Sequence, residues 1–120
     1  MSAHIEAIAL RALLVQMGGD RDMQRRFVHD FVQLWHSRSQ RLAAALAFPF
    51  PDAEEAHVVL LSIRSSSTMV GAVTVEATAA MMHDALRVGD IAGSVRHITR
   101  LNEVGELACS DLATMFALQL

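Results

Sequence analysis

Four interruptions punctuate this chain: Gly18-Gly19, the run Phe48-Pro49-Phe50-Pro51, Gly71 and Gly89. Between them apolar residues recur every three or four positions, the spacing that gathers them on one face of a helix. Glycine accepts the left-handed backbone that ends a helix, while proline cannot donate to one and biases its predecessor away from helical dihedrals. Asp20, Asp52 and Asp90 each follow such an interruption, where a carboxylate can accept from the unpaired N–H groups of a first turn. No alternation of period two competes over several residues. The spacing predicts helices over 3–17, 20–47, 52–70, 73–88 and 90–117. Long amphipathic helices on short connections make sequential neighbours antiparallel. The expected fold is therefore all-α, an up-down antiparallel four-helix bundle with a short N-terminal covering helix.

The expected buried stripes follow from the same period. Ile5, Ile8, Leu10, Leu13, Leu14 and Met17 carry the first helix, and Phe27, Phe31, Leu34, Trp35, Leu42, Ala45 and Leu46 the second. Asp52 and Glu55 read as a capping box at the start of the third. Val75, Ala79, Met82 and Leu86 lie at core spacing in the fourth. The last buries Ile91, Val95, Ile98, Leu101, Val104, Leu107 or Ala108, Leu112, and Met115 or Phe116.

At 120 residues the chain reads as one domain over 1–120, and 52% hydrophobic with 19% charged residues is a globular composition. A formal charge of −3 shows no basic excess, so nucleic acid is not the expected partner. No apolar run approaches the roughly 20 residues that span a bilayer, and no membrane association is expected. The N-terminal stretch carries Glu6 and Arg11 within its apolar pattern and lacks a basic leader, unlike a signal peptide. A single cysteine, Cys109, allows no internal disulfide. The expected location is cytoplasmic.

The stretch Leu60 to Ala72, LLSIRSSSTMVGA, is the most informative. Advancing 100° per residue, Ala56, Val59, Leu60, Ile63, Ser66, Ser67 and Val70 fall on one side, and His57, Leu61, Arg64, Ser65 and Thr68 on the other. Leu61 thus points away from the core, with Val58 beside it and Arg64 at its edge. The stretch resembles the signature of histidine phosphotransfer (HPt) domains, roughly A-H-T-L-K-G-S-S-x-x-L-G-A. Ser62, Ile63, Arg64, Ser66, Ser67, Val70, Gly71 and Ala72 match or stand for the family's residues. Leu61 occupies the place of the phospho-accepting histidine, and Ser65 that of the glycine one turn later. GGDRDMQRRFVHDFVQLW (Gly18 to Trp35) is similar to the family's second-helix entry, and ALRVGDIAGS (Ala85 to Ser94) to its turn between the fourth and fifth helices.

The resemblance implies a protein of bacterial two-component signalling that has lost its chemistry. In the family an exposed imidazole takes a phosphoryl group from a receiver domain, a step that needs a lone pair in line with phosphorus and a cation for the developing charge. Leu61 has no lone pair, whereas Arg64 keeps a cation suited to phosphate-like oxygens. Ser65 narrows the approach. A family glutamine that bonds the acceptor imidazole falls by spacing on His83. The leading expectation is a non-catalytic protein with no cofactor and no metal. It would bind the receiver domain of a response regulator or hybrid kinase through Leu61, Arg64, Ser65, His57, Thr68, His83 and Val58. Two alternatives stand beside it: phosphotransfer through a relocated histidine, His57 or His83, and a structural module that dimerises or binds an unrelated protein.

Other constellations carry less. Ser66 and Ser67 face inward, where small side chains let helices approach, and no Asp–His pair accompanies Ser65. Neither H-E-x-x-H nor C-x-x-C occurs, and no glycine-rich phosphate loop is present. The seven methionines read as core fillers.

Overall fold

The structure, a computed structural model, describes residues 3–118. Among these residues the chain is helical throughout: α1 (Ala7–Gln16), α2 (Arg21–Ala45), α3 (Ala53–Val70), α4 (Val73–Arg87), α5 (Ile91–Val95) and α6 (Ile98–Met115). Helices α2, α3, α4 and α6 form the bundle, each packed on its neighbours in turn with α2 against α6 closing the ring. Helix α1 lies on α3 and α2, and the molecule measures 46 × 25 × 22 Å. The expected terminal residues 1–2 and 119–120 of the domain lie outside the described residues.

The aspartates start their helices as expected. Asp20 accepts from Met23 N at 3.0 Å, Asp52 from Glu55 N at 3.0 Å and Asp90 from Gly93 N at 2.8 Å. The capping box is half formed, because the Glu55 carboxylate turns to the Arg41 guanidinium instead of reaching back. Gly71 closes α3 at φ 71°, left-handed as its position requires.

Two helix boundaries differ from expectation. The first helix begins at Ala7, not Ala3, because residues 4–6 are taken by main-chain pairing. Glu6 N donates to Gly71 O at 2.8 Å, Val73 N to His4 O at 3.1 Å, and Ile5 forms an isolated antiparallel bridge with Ala72. The predicted helix over 90–117 is two helices, with a turn at Arg96 and His97. Both turn residues stay near right-handed helical dihedrals, so no glycine or proline marks the break.

The core is Val28, Phe31, Trp35, Leu42, Leu46, Ala56, Val59, Leu60, Ile63, Val70, Val75, Ala79, Met82, Leu86, Leu101, Val104, Ala108 and Leu112, joined by Ile5 and Leu10. Several stripe residues fall outside it. Ile8 and Leu34 are exposed, and Leu14, Met17, Phe27, Ile91, Val95 and Ile98 are half-buried. Of the paired alternatives, Ala108 is inside with Leu107 exposed, and Phe116 is half-buried with Met115 exposed. In α2 the buried face runs Gln24, Val28, Phe31, Trp35. Trp35 is seated with its indole on Gly105 of α6, so closely that a Cβ there would overlap the ring. Gln24 is satisfied inside by donating to Leu10 O at 2.8 Å.

Candidate functional site

Helix α3 buries Ala56, Val59, Leu60, Ile63, Ser67 and Val70, which turns the opposite side of the helix outward. Leu61 is 44% exposed and Val58 52%, while Ser65 and Thr68 are exposed and His57 and Arg64 half-buried. Thr68 and Ser66 bond back to carbonyls one turn earlier, Arg64 O at 2.9 Å and Ser62 O at 2.7 Å. Half-buried Ser66 also takes a hydrogen bond from Arg38 at 3.2 Å, so the inward reading holds fully for Ser67 and partly for Ser66.

Helix α4 lies against the edge of this face. His83 is only 3% exposed, because it sits one turn from both Ala79 and Leu86 on the buried side of α4. Its ring joins two α3 side chains. Arg64 Nη1 and His83 Nδ1 are 2.9 Å apart, and His83 Nε2 and His57 Nδ1 are 2.7 Å apart, with ring centroids at 4.5 Å. Glu76, two turns before His83, lies 3.7 Å from Arg64 Nε. Burial holds the His83 pKa below its ordinary value, and His57, Arg64 and Arg87 add to the effect against an opposing Asp84.

Six of the expected residues share the outward face of α3, with Leu61 between His57 one turn before it and Arg64 and Ser65 one turn after, and Val58 and Thr68 beyond. His83, expected among the binding residues, is instead enclosed and meets this face only through His57 and Arg64, because it lies on the buried side of α4. A shallow depression lined by Leu61, Arg64, Ser65, Thr68, Met69 and Glu76 lies on one side. Another, lined by Ala53, Glu54, His57, Val58, Leu86 and Arg87, lies toward the start of α3. Met69, Glu76 and Arg87 were not among the expected residues. A signal for the α4 pair was available, since Glu76, His83 and Arg87 recur at i, i+7 and i+11 on one stripe.

Chemically the face offers an aliphatic side chain, a guanidinium, hydroxyls and an imidazole. Both ring nitrogens of His83 are engaged, so neither presents a free lone pair to an incoming phosphorus. Cys109 is no nucleophile either: burial, with Glu106 nearby, pushes its thiol up to about 12. Among the described residues no group of three metal-ligating side chains gathers, and no helix is long and apolar enough to cross a membrane.

No protein-family model and no curated protein matches this sequence. Among solved structures the chain is similar to a histidine-containing phosphotransfer protein from maize. The two share 19% sequence identity at a TM-score of 0.81, over 95% of this chain and 83% of that one. The backbone is thus the helical bundle of an HPt protein.

Proposed function

We propose that this chain, an HPt-type bundle with leucine where the resemblance expects the acceptor histidine, is a two-component signalling protein that binds a receiver domain without passing phosphate through residue 61. The observation that supports this reading is the outward, central position of Leu61 on the α3 face, 44% exposed and flanked by Arg64 and His57. A hydrocarbon side chain has no electron pair to attack phosphorus, whatever its position. Held out to solvent, it is an apolar anchor with cationic and hydroxyl groups at its rim, the arrangement in which a few central residues carry most of the binding energy. Its mechanism would be occupancy: by covering a receiver's phosphorylation face, the chain blocks or holds that domain.

Covering Leu61 is worth roughly 2 kcal/mol, so Leu61→Asp should weaken receiver binding by about 30-fold or more. The helical circular dichroism should not change, since residue 61 lies outside the core. Unchanged affinity in a folded Leu61→Asp protein would remove this face from the reading. Relocated phosphotransfer gains little support from the geometry. His83 is enclosed, and the free nitrogen of His57 is the one that carries the proton when its other nitrogen accepts from His83. Acid-labile phosphate on the chain after mixing with a phosphorylated receiver domain would overturn the non-catalytic reading.

A further inference from the structure

The hydrogen-bonded series Arg64, His83, His57 has a determined direction. A guanidinium has donors only, so Arg64 Nη1 donates and His83 Nδ1 must keep its lone pair. The proton of neutral His83 then sits on Nε2 and points at His57 Nδ1, 2.7 Å away. His57 Nδ1 accepts it, which leaves the proton of neutral His57 on Nε2, a nitrogen that no described group partners. One enclosed ring thereby decides the tautomer of a second ring and the placement of a cation, on both sides of Leu61.

We propose that His83 is the positioning residue of the α3 face: uncharged, it holds Arg64 in place and fixes His57 as an N–H donor at Nε2, and on taking up a proton at Nδ1 it releases Arg64 while its Nε2–H still donates to His57. The consequence for binding rests on the receiver-docking reading above, whereas the series itself does not. A proton added to His83 Nδ1 would meet the guanidinium donor head-on, and one added to His57 Nδ1 would meet the His83 N–H. Either event breaks a link. The charges that bear on the His83 ring come from α3 (His57 and Arg64) and from α4 itself (Arg87 and Asp84), with none from α2, α5 or α6. Two guanidinium groups against one carboxylate favour the neutral ring, and Glu76 is available to receive Arg64 when the ring lets go. The partner chemistry that fits the neutral arrangement is an apolar spot for Leu61 flanked by hydrogen-bond acceptors, carboxylate or carbonyl, opposite His57 and Arg64.

The test is nitrogen NMR of the histidine rings and the Arg64 side chain in the free protein, from about pH 8 down to about pH 5, across the range where histidine titrates. Both His57 and His83 should carry their proton on Nε2 at the upper end, and the Arg64 signal should shift in step with the His83 titration. A His83 ring protonated on Nδ1 in its neutral form, or an Arg64 signal indifferent to that titration, overturns the proposal. His83→Gln retains an acceptor for Arg64 and a donor for His57 without a titrating group, so its Arg64 signal should hold the high-pH position throughout. A wild-type step in His83→Gln likewise overturns the proposal. His83→Leu should show the released Arg64 signal at every pH; should it fail to fold, the wild type and His83→Gln still decide.

A binding arm separates this inference from the reading it builds on. Affinity for a purified receiver domain should fall about tenfold from the upper to the lower pH in the wild type, and stay level in His83→Gln. Binding at no pH would sink the receiver reading while the NMR result still decides the role of His83. Binding that is equally strong at both ends would sink the proton linkage.

Discussion

At the scale of single residues, the proposed reading turns on Leu61, which stands where the resemblance expects a histidine. An imidazole reacts and leaves; a leucine stays. Restoring the expected pair of residues measures how much of the remaining face is still fit for chemistry. Leu61→His with Ser65→Gly should take up acid-labile phosphate from a phosphorylated receiver domain at a rate well above the parent, whose residue 61 can accept none. A folded but inert double variant would mean that Arg64, committed to His83 and Glu76, is no longer available to a phosphoryl group. The outward direction of Leu61 was legible in the sequence, because helical periodicity depends only on the spacing of neighbours along one element. The enclosure of His83 was half legible, since it lies one turn from both Ala79 and Leu86. Its bonds to His57 and Arg64 were not, because they depend on how α3 and α4 cross.

At the scale of elements, the aspartate caps and the glycine stops were read directly, each being a local device whose partner lies within a few residues. Of the expected second-helix stripe, Phe31, Trp35, Leu42, Ala45 and Leu46 are buried, whereas Phe27 and Leu34 are not. Phe27 and Leu34 are larger apolar groups than Val28, yet Val28 is the one inside. The seat of Trp35 on Gly105 was not legible, because a contact between α2 and α6 leaves no mark in the periodicity of either helix alone. Gly105→Ala should be costly for so small a change. Forcing the indole from its seat is an overpacking of about 1–3 kcal/mol, measurable as a lowered midpoint of denaturant unfolding. A variant as stable as the parent would mean that Trp35 has a second place to go. The break between α5 and α6 was invisible for a related reason. Ile91, Val95, Ile98 and Leu101 keep their period through it, and the turn residues never leave helical backbone space.

For the whole molecule, the buried histidine ties stability to acidity. In the unfolded chain His83 titrates near its ordinary value of 6.5, and in the fold it is held lower. Between the two values the unfolded state binds more protons than the folded one. The contribution of His83 is thus fully present above about 6.5 and is lost as pH falls through the folded value. Thermal melts of the wild type should drop on acidification more steeply than those of His83→Gln, and parallel curves would show that other groups govern the slope. The four-helix plan was legible because its breaks are written in glycine and proline. The way the first helix is attached was not.

That attachment is made of main-chain atoms: Glu6 N to Gly71 O, Val73 N to His4 O, and the bridge of Ile5 with Ala72. Peptide groups are the same whatever side chain they bear, so the strap at Glu6 is free to drift in composition while its mate is not. At Gly71 a β-carbon would come within 2.6 Å of Glu6 O on a backbone that already has positive φ. A saturation library should show the asymmetry, with broad tolerance at Glu6 facing a single permitted letter at Gly71, like a clasp in which only one half is cut to shape.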